Sequence, residues 1–150
     1  MKPIRFFSLL LFAVMSIGLS SCDNEDEQIT DLHVTNYLTG KWGLIHTSGW
    51  EYNNVGVKID WDKDETGFFY TFKKDGSGYK GESLKYYFEW EVNDRELVII
   101  DDSTPYFQND FFDYYDIKSV TSTTLVLDWE NFDGHGVCIG QGTDTFSRIY

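Results

Sequence analysis

Cysteine and proline are scarce, with two of each in 150 residues. Two cysteines cannot build a disulfide scaffold. Two prolines leave no room for a Pro-rich or collagen-like segment. Basic side chains are few: 12 Lys and Arg stand against 25 Asp and Glu, for a formal charge of −13. That balance argues against nucleic acid as a partner, because phosphate contacts need clustered Lys and Arg. Histidine is limited to His33, His46 and His135. None lies in a nucleophile motif of the G-x-S-x-G kind, so no catalytic residue is assigned and the protein is read as non-enzymatic. No cofactor is expected. What is abundant is aromatic surface, at 18% of residues. The length suits one domain.

The first 22 residues read as an address. Lys2 and Arg5 give a basic start, and no charge interrupts Phe6 to Leu19. That run falls short of the about 20 residues of a membrane-spanning helix and has the form of a secretory signal peptide. It ends in Leu19-Ser20-Ser21-Cys22, which resembles the bacterial lipobox. The resemblance implies cleavage before Cys22 and lipidation of Cys22, so residues 1–21 are expected to be a lipoprotein signal peptide. Several acyl chains on one residue would attach the protein to a membrane almost permanently, whereas one alone binds marginally. Loss of Lys2 and Arg5 would take the formal charge from −13 to −15. Lipid rather than charge must then make the attachment. Residues 22–37 are expected to be the lipidated Cys and an acidic, flexible tether, since Asp23-Asn24-Glu25-Asp26-Glu27 follows the anchor directly. Acidic residues at this place also resemble the export signal of one Gram-negative phylum, which implies an outer-membrane, surface-exposed lipoprotein of the cell envelope. In other bacteria, Asp here retains a lipoprotein at the inner membrane. With Cys22 lipidated, Cys138 has no disulfide partner and is expected to be a small buried apolar residue.

From residue 38 onward the pattern is that of strands. A short helical turn is expected just before, on the spacing of Ile29, Leu32 and Leu38. Gly40 to His46 opens the first strand, and Trp50 to Ile59 is a weaker second, interrupted by Asn53-Asn54 and Gly56. Phe68, Tyr70 and Phe72 alternate with Phe69, Thr71 and Lys73, and Asp75-Gly76-Ser77-Gly78 is a hairpin turn. Tyr86, Phe88, Trp90 and Val92 share one face of the clearest strand, and Glu96 to Ile100 returns after Asn93-Asp94-Arg95. A loop around Pro105 precedes a strand at Tyr115-Asp116-Ile117. Leu125, Leu127 and Trp129 face one way in the next, and Thr145 to Tyr150 closes the chain. About eight short strands joined by tight turns, with no helix long enough for a parallel crossover, predict an all-β, up-and-down antiparallel meander. Such a meander can lose its edges by closing into a barrel, and an open or flattened sheet is the alternative.

Several of these segments together resemble lipocalins and the bacterial lipocalin-like lipoproteins. They are Leu38-Thr39-Gly40-Lys41-Trp42, the hairpin Tyr70 to Gly78, Tyr87-Phe88-Glu89-Trp90 with Glu96-Leu97-Val98-Ile99, Thr123 to Leu127, and Phe146-Ser147-Arg148. The resemblance implies a lipocalin-like β-barrel over residues 38–150. It also implies that Trp42 lies across the barrel base with Arg148 stacked on it, a structural pair joining the first strand to the last.

Two acidic or metal-like motifs have plain readings. Asp60-Trp61-Asp62-Lys63-Asp64-Glu65 has the alternating carboxylates of a Ca²⁺ loop. It lacks the Gly and Glu such a loop needs at its sixth and twelfth positions, so an exposed acidic turn is expected. His135-Gly136-Val137-Cys138 is half a zinc site with no second half, and no metal is expected. The run Tyr106 to Tyr115 holds six aromatics in ten residues, more apolar surface than a loop needs. It could plug one barrel end or line a ligand rim. Tyr86, Phe88 and Trp90 are expected to fill the interior. The candidate ligand-binding residues are therefore Tyr106, Phe107, Phe111, Phe112 and Tyr114, with Trp50 and Tyr52. The function expected is non-catalytic binding of a small apolar molecule at the barrel mouth. The alternative is a surface module that meets a protein or glycan through the aromatic segment 106–115.

Overall fold

In the computed structural model, residues 31–81, 83–101 and 111–150 are described. A helix, α1 (Asp31–Leu38), precedes nine strands. These are β1 (Gly40–Tyr52), β2 (Lys58–Asp64), β3 (Phe69–Phe72), β4 (Ser77–Lys80), β5 (Tyr86–Asn93), β6 (Glu96–Asp101), β7 (Phe111–Val120), β8 (Thr124–Phe132) and β9 (Cys138–Ile149). All pairings are antiparallel between neighbours in sequence except two. β1 pairs with β3 as well as β2, and β1 also pairs with β9. β2 lies along the second half of β1 and β3 along the first, so the two form one broken stave. The result is a closed up-and-down antiparallel barrel of eight staves.

The strands differ in height, and this sets the shape. β4 has four residues while β1 has 13 and β9 has 12. β3, β4, β5 and β6 make a low wall. β2, β1, β9 and β8 rise past it into a tall one that ends in two hairpin tips. Both tips use the same turn chemistry. The Asn53 carboxamide oxygen accepts the Val55 and Val57 amides at 3.1 and 2.9 Å. The Asp133 carboxylate accepts those of His135 and Val137 at 2.8 and 2.9 Å. A short polar side chain that captures amides two and four residues on holds each turn closed.

The core fills the base. Alternation turns Trp42, Tyr70, Phe72, Phe88, Trp90, Leu97, Ile99, Ile117, Leu125, Leu127 and Phe146 inward, and Val34 and Leu38 of α1 join them. Phe72 is edge-on to Trp90 at 5.4 Å and to Phe88 at 5.7 Å. Tyr70 tilts against Phe146 at 5.7 Å. Each such contact adds about 0.5–1.5 kcal/mol to the area buried. A lower half packed this way has no room for a ligand.

One arrangement joins helix, first strand and last strand. Trp42 and Arg148 are directly opposed in the β1–β9 register. The guanidinium carbon of Arg148 sits 4.3 Å from the Trp42 ring centroid. Trp42 Nε1 donates to the Leu38 carbonyl at 2.7 Å. Arg148 donates to the Tyr37 carbonyl, to the Thr39 carbonyl at 2.8 Å, and to the Ser122 carbonyl at 2.7 Å. Carbonyls at a helix C-terminus have no partner within the helix. Here the two side chains supply partners for Tyr37, Leu38 and Thr39. Gly40 makes room: its φ is +141°, and a Cβ would overlap the Arg148 guanidinium.

Several sequence expectations are corrected. The first strand runs on to Tyr52, and Asn53-Asn54 with Gly56 is the hairpin tip rather than a break within a second strand. Thr47-Ser48-Gly49 hid this continuation because it lacks apolar alternation. The acidic segment from Asp60 is strand β2, not a turn. Its carboxylates have partners on β1 and within β2: His46 lies 3.1 Å from Asp62 and 3.2 Å from Asp64, and Lys58 of the same strand lies 3.0 Å from Asp60. Ser77 to Lys80 is a strand that the preceding turn concealed. Tyr86 has the inward parity but sits at the top of the low wall and is 45% exposed. Cys138 is half-buried, not buried, with its Sγ 3.4 Å from the Gly140 carbonyl. α1 takes in the last residues of the segment expected as tether, because burying Val34 and Leu38 gives it a docking face.

Arg148→Ala is expected to cost about 2–4 kcal/mol through the lost cation–π contact and orphaned carbonyls. Trp42→Ala is expected to cost about 3–5 kcal/mol. Chemical denaturation of both single variants and the double variant should give a coupling of about 1–2 kcal/mol. Additive losses would show that the two side chains act separately.

Candidate functional site

Above the packed base the inner face of the tall wall changes character. Its strands are in register as a row, Trp61–Gly49–Gly142–Trp129. The two central positions carry no side chain. A Cβ on Gly49 would come within 2.8 Å of the Gly142 Cα, and one on Gly142 within 2.7 Å of the Trp129 ring. The sheet therefore creases sharply along the β1–β9 seam. The crease brings Trp61 and Trp129 together as a stacked pair, 5.9 Å apart and inclined by 13°.

The next row down is polar. Trp61 Nε1 donates to Thr47 Oγ1 at 3.2 Å, and Thr47 Oγ1 donates to the Asp144 carboxylate at 2.6 Å. Asp144 occupies the inward position of β9 between Gly142 and Phe146. Burial lifts its pKa above the ordinary carboxylate value, while hydrogen bonds from Thr47 and Trp129 act in the opposite direction. Below, the hydroxyls of Tyr70 and Tyr115 are 3.2 Å apart. Burial raises both phenols, Tyr115 to about 12, and the negative charges of Asp113 and Asp144 push the same way.

These groups surround a cavity of about 360 Å³. Thr47, Asp113, Tyr115, Trp129 and Asp144 line it from inward positions, beside Glu130 and Asn131. It lies at the end of the barrel away from α1, where the first residues of β7 and the last of β8 are not paired to each other. Its size is at the lower end of small-molecule sites. Such a chamber can hold a compact ligand between aromatic faces, with carboxylates to orient it.

Two of the residues proposed from sequence, Phe112 and Tyr114, border this cavity, and Trp50 and Tyr52 do not. Tyr106 and Phe107 lie outside the described residues, as does the Phe111 side chain. Phe111 to Tyr115 is the start of strand β7 rather than a loop, so alternate aromatics face opposite ways. Phe112 and Tyr114 point outward, exposed and stacked at 6.2 Å. Both border the cavity. Trp50 and Tyr52 share the outer face of β1, 5.5 Å apart edge to face, with Lys58 over the Trp50 ring at 4.9 Å. Trp50 and Tyr52 are not brought together with Phe112 and Tyr114 at the cavity. Thr47, Asp113, Tyr115, Trp129 and Asp144 were missed as site residues. The available signal was the spacing Gly140, Gly142, Asp144, Phe146, which puts two glycines and a carboxylate on the face of a core aromatic.

Comparison with known proteins gives limited likeness. No family model matches. The outer-membrane lipoprotein LolB from three strains of Francisella tularensis subsp. tularensis is 34% identical over 83 residues, which is 55% of this chain and 38% of LolB. The chain thus spans well under half the length of these curated relatives. Among solved structures, a deswapped triple mutant of bovine odorant binding protein aligns at 15% identity with a TM-score of 0.38, covering 75% of this chain and 74% of that one.

Two outcomes test the site's construction. Gly142→Ala is expected to displace Trp129, abolish the Trp–Trp exciton couplet in circular dichroism and cost about 1–3 kcal/mol. A retained couplet would show that the crease does not depend on the missing side chain. Stability should also fall as pH rises above about 10 and continue to fall through about 12. The unfolded phenols ionise near 10 while the buried ones resist. The Tyr70→Phe and Tyr115→Phe double variant should flatten that decline.

Proposed function

We propose that the protein is a lipid-anchored, non-catalytic binding protein of the bacterial cell envelope, which holds a small molecule in the chamber at the barrel mouth. The observation that carries this reading is the division of the interior. The base is packed solid, while the upper end keeps a chamber of about 360 Å³ walled by Trp129 and Tyr115. A barrel that needed only stability would fill that space.

The lipid anchor is the finer part of the proposal. The Leu19-Ser20-Ser21-Cys22 motif supports it, as does partial likeness to a protein named as an outer-membrane lipoprotein. Residues 23–30 separate Cys22 from α1 and reach about 26 Å when fully extended. α1 lies at the closed base, so an anchor at Cys22 would hold the base toward the membrane and the chamber away from it. The acidic run after Cys22 favours the outer face of the outer membrane.

A second reading has its own support. Phe112 and Tyr114 are 46% and 53% exposed. Tyr114 and Phe132 border a groove along β7 and β8 that also takes in Tyr115 and Trp129, beside Asp116, Asp128 and Glu130. A protein or glycan could dock there.

Native mass spectrometry of the protein purified from its own host is expected to show a co-purified small molecule that Trp129→Ala loses. A protein that emerges empty, with partner capture abolished by Phe112→Ala plus Tyr114→Ala, would replace the first reading with the second. Cys22→Ala is expected to move the protein from the membrane fraction to the soluble one. Its retention would remove the anchor from the proposal.

A further inference from the structure

The chamber has a charge imbalance that narrows the ligand's chemistry, taking the mouth as the binding site as proposed above. Asp144 is half-buried and points inward, and its two neighbours in hydrogen bonding are neutral. The Thr47 hydroxyl has one proton, and its oxygen already accepts from Trp61. That proton therefore goes to Asp144, and the relay from Trp61 through Thr47 delivers hydrogen bonds without positive charge. Asp113 adds a second carboxylate at the rim of the same chamber.

Among the described residues, no cation pairs with either acid. Lys63, in register with Thr47, holds Glu65 at 2.9 Å. Lys118 holds Asp128 at 3.2 Å on the outer face, and Lys80 holds Asp101 at 3.0 Å. Burial is the main cause of the upward displacement of Tyr70 and Tyr115, and Asp113 and Asp144 add to it in the same direction. A charge removed from water without a counter-ion is costly. A neutral apolar guest would strip Asp144 further and leave that cost in place. An anionic guest would add repulsion. A cation would relieve it, and the faces of Trp129 and Tyr115 attract cations as well.

We propose that the mouth chamber binds a protonated amine carried on a compact apolar or aromatic body, with its ammonium against Asp144 and Asp113 and its body against Trp129 and Tyr115. The proposal adds one positive charge to the small apolar guest expected from sequence. A chamber of about 360 Å³ suits a body about the size of one aromatic ring with a short chain.

The test uses three small molecules of nearly one shape: phenethylamine, phenethyl alcohol and hydrocinnamate. Each is titrated calorimetrically into the full chain at neutral pH, with tryptophan fluorescence as a second readout. The amine is expected to bind about tenfold or more tighter than the alcohol, and the carboxylate not at all. Asp144→Asn should reduce the amine's advantage over the alcohol to about twofold or less. Asp113→Asn should reduce it by a smaller factor, and serves alone if Asp144→Asn fails to fold by circular dichroism. Equal binding of amine and alcohol would overturn the charge argument and leave the mouth standing as a binding site. An advantage that survives in both folded variants would overturn the assignment to these carboxylates. Failure of all three compounds to bind would overturn this inference, and failure of the native protein to carry any small molecule would overturn the binding role itself.

Discussion

The closure of β1 onto β9 at Trp42 and Arg148 is the constraint on which the remaining geometry rests. An eight-stave barrel has one seam where the chain's first strand must meet its last, and loop closure there is the longest in sequence. Directly opposed partners fix the register at the seam, and a one-residue slip would turn every inward side chain outward. The guanidinium over the indole supplies attraction that is specific to that register. The same two side chains take up the carbonyls of Tyr37, Leu38 and Thr39. The helix, the seam and the base are therefore ordered together, and Gly40 is a glycine because the guanidinium occupies the space beside it.

The upper half follows from the seam being held below. Once β1 and β9 are paired at the base, their extensions must continue side by side, and Gly49 opposite Gly142 lets them approach more closely than side chains allow. The resulting crease folds β2 and β8 toward each other. Two indoles that flat strands would hold about 14 Å apart, at about 4.8 Å per strand spacing, meet in a stack. Glycine in a strand interior usually weakens it. Here the weakness is offset by the stacked pair and by the Trp61–Thr47–Asp144 hydrogen bonds just beneath. One element, the crease, thus both closes the wall and leaves the space in front of it.

The meander was legible because its signals are local. Phe88 and Trp90, and Leu125 and Leu127, carry clean alternation, and Asp75-Gly76 and Asn93-Asp94 carry turn chemistry. The count of eight matches the staves because two differences offset: Ser77 to Lys80 was hidden next to its own turn, and the expected strand Trp50 to Ile59 is divided between β1, a hairpin tip and β2. The site was not legible for a physical reason. Strand reading rewards apolar residues at every second position, and the site is built from the exceptions: Thr47, Gly49, Gly142 and Asp144. These positions look like loop. The aromatic density of Tyr106 to Tyr115 drew attention instead, yet strand parity in β7 sends Phe112 and Tyr114 outward and Asp113 and Tyr115 toward the chamber. Composition indicates how much aromatic surface exists. Only register says which side of the wall it faces.

Those exceptions also indicate what the upper half is for. A sequence that specifies one structure satisfies local and global preferences together, and departures concentrate where function requires them. In the base, among the described residues, the inward side chains are apolar or, like Tyr70, have their polar end paired, and Gly78 leaves its place to the Phe88 ring. In the mouth, two glycines thin a strand pair and a carboxylate occupies a core-facing position with only neutral donors about it. Replacing Asp144 by a Leu-like residue would remove a desolvated charge and fill space, both stabilising changes in a purely structural barrel. The base can tolerate that forgone stability because its own packing does not run through the chamber. The separation of a rigid, aromatic-filled base from an electrostatically incomplete mouth is therefore what allows one small domain to be stable at one end and receptive at the other.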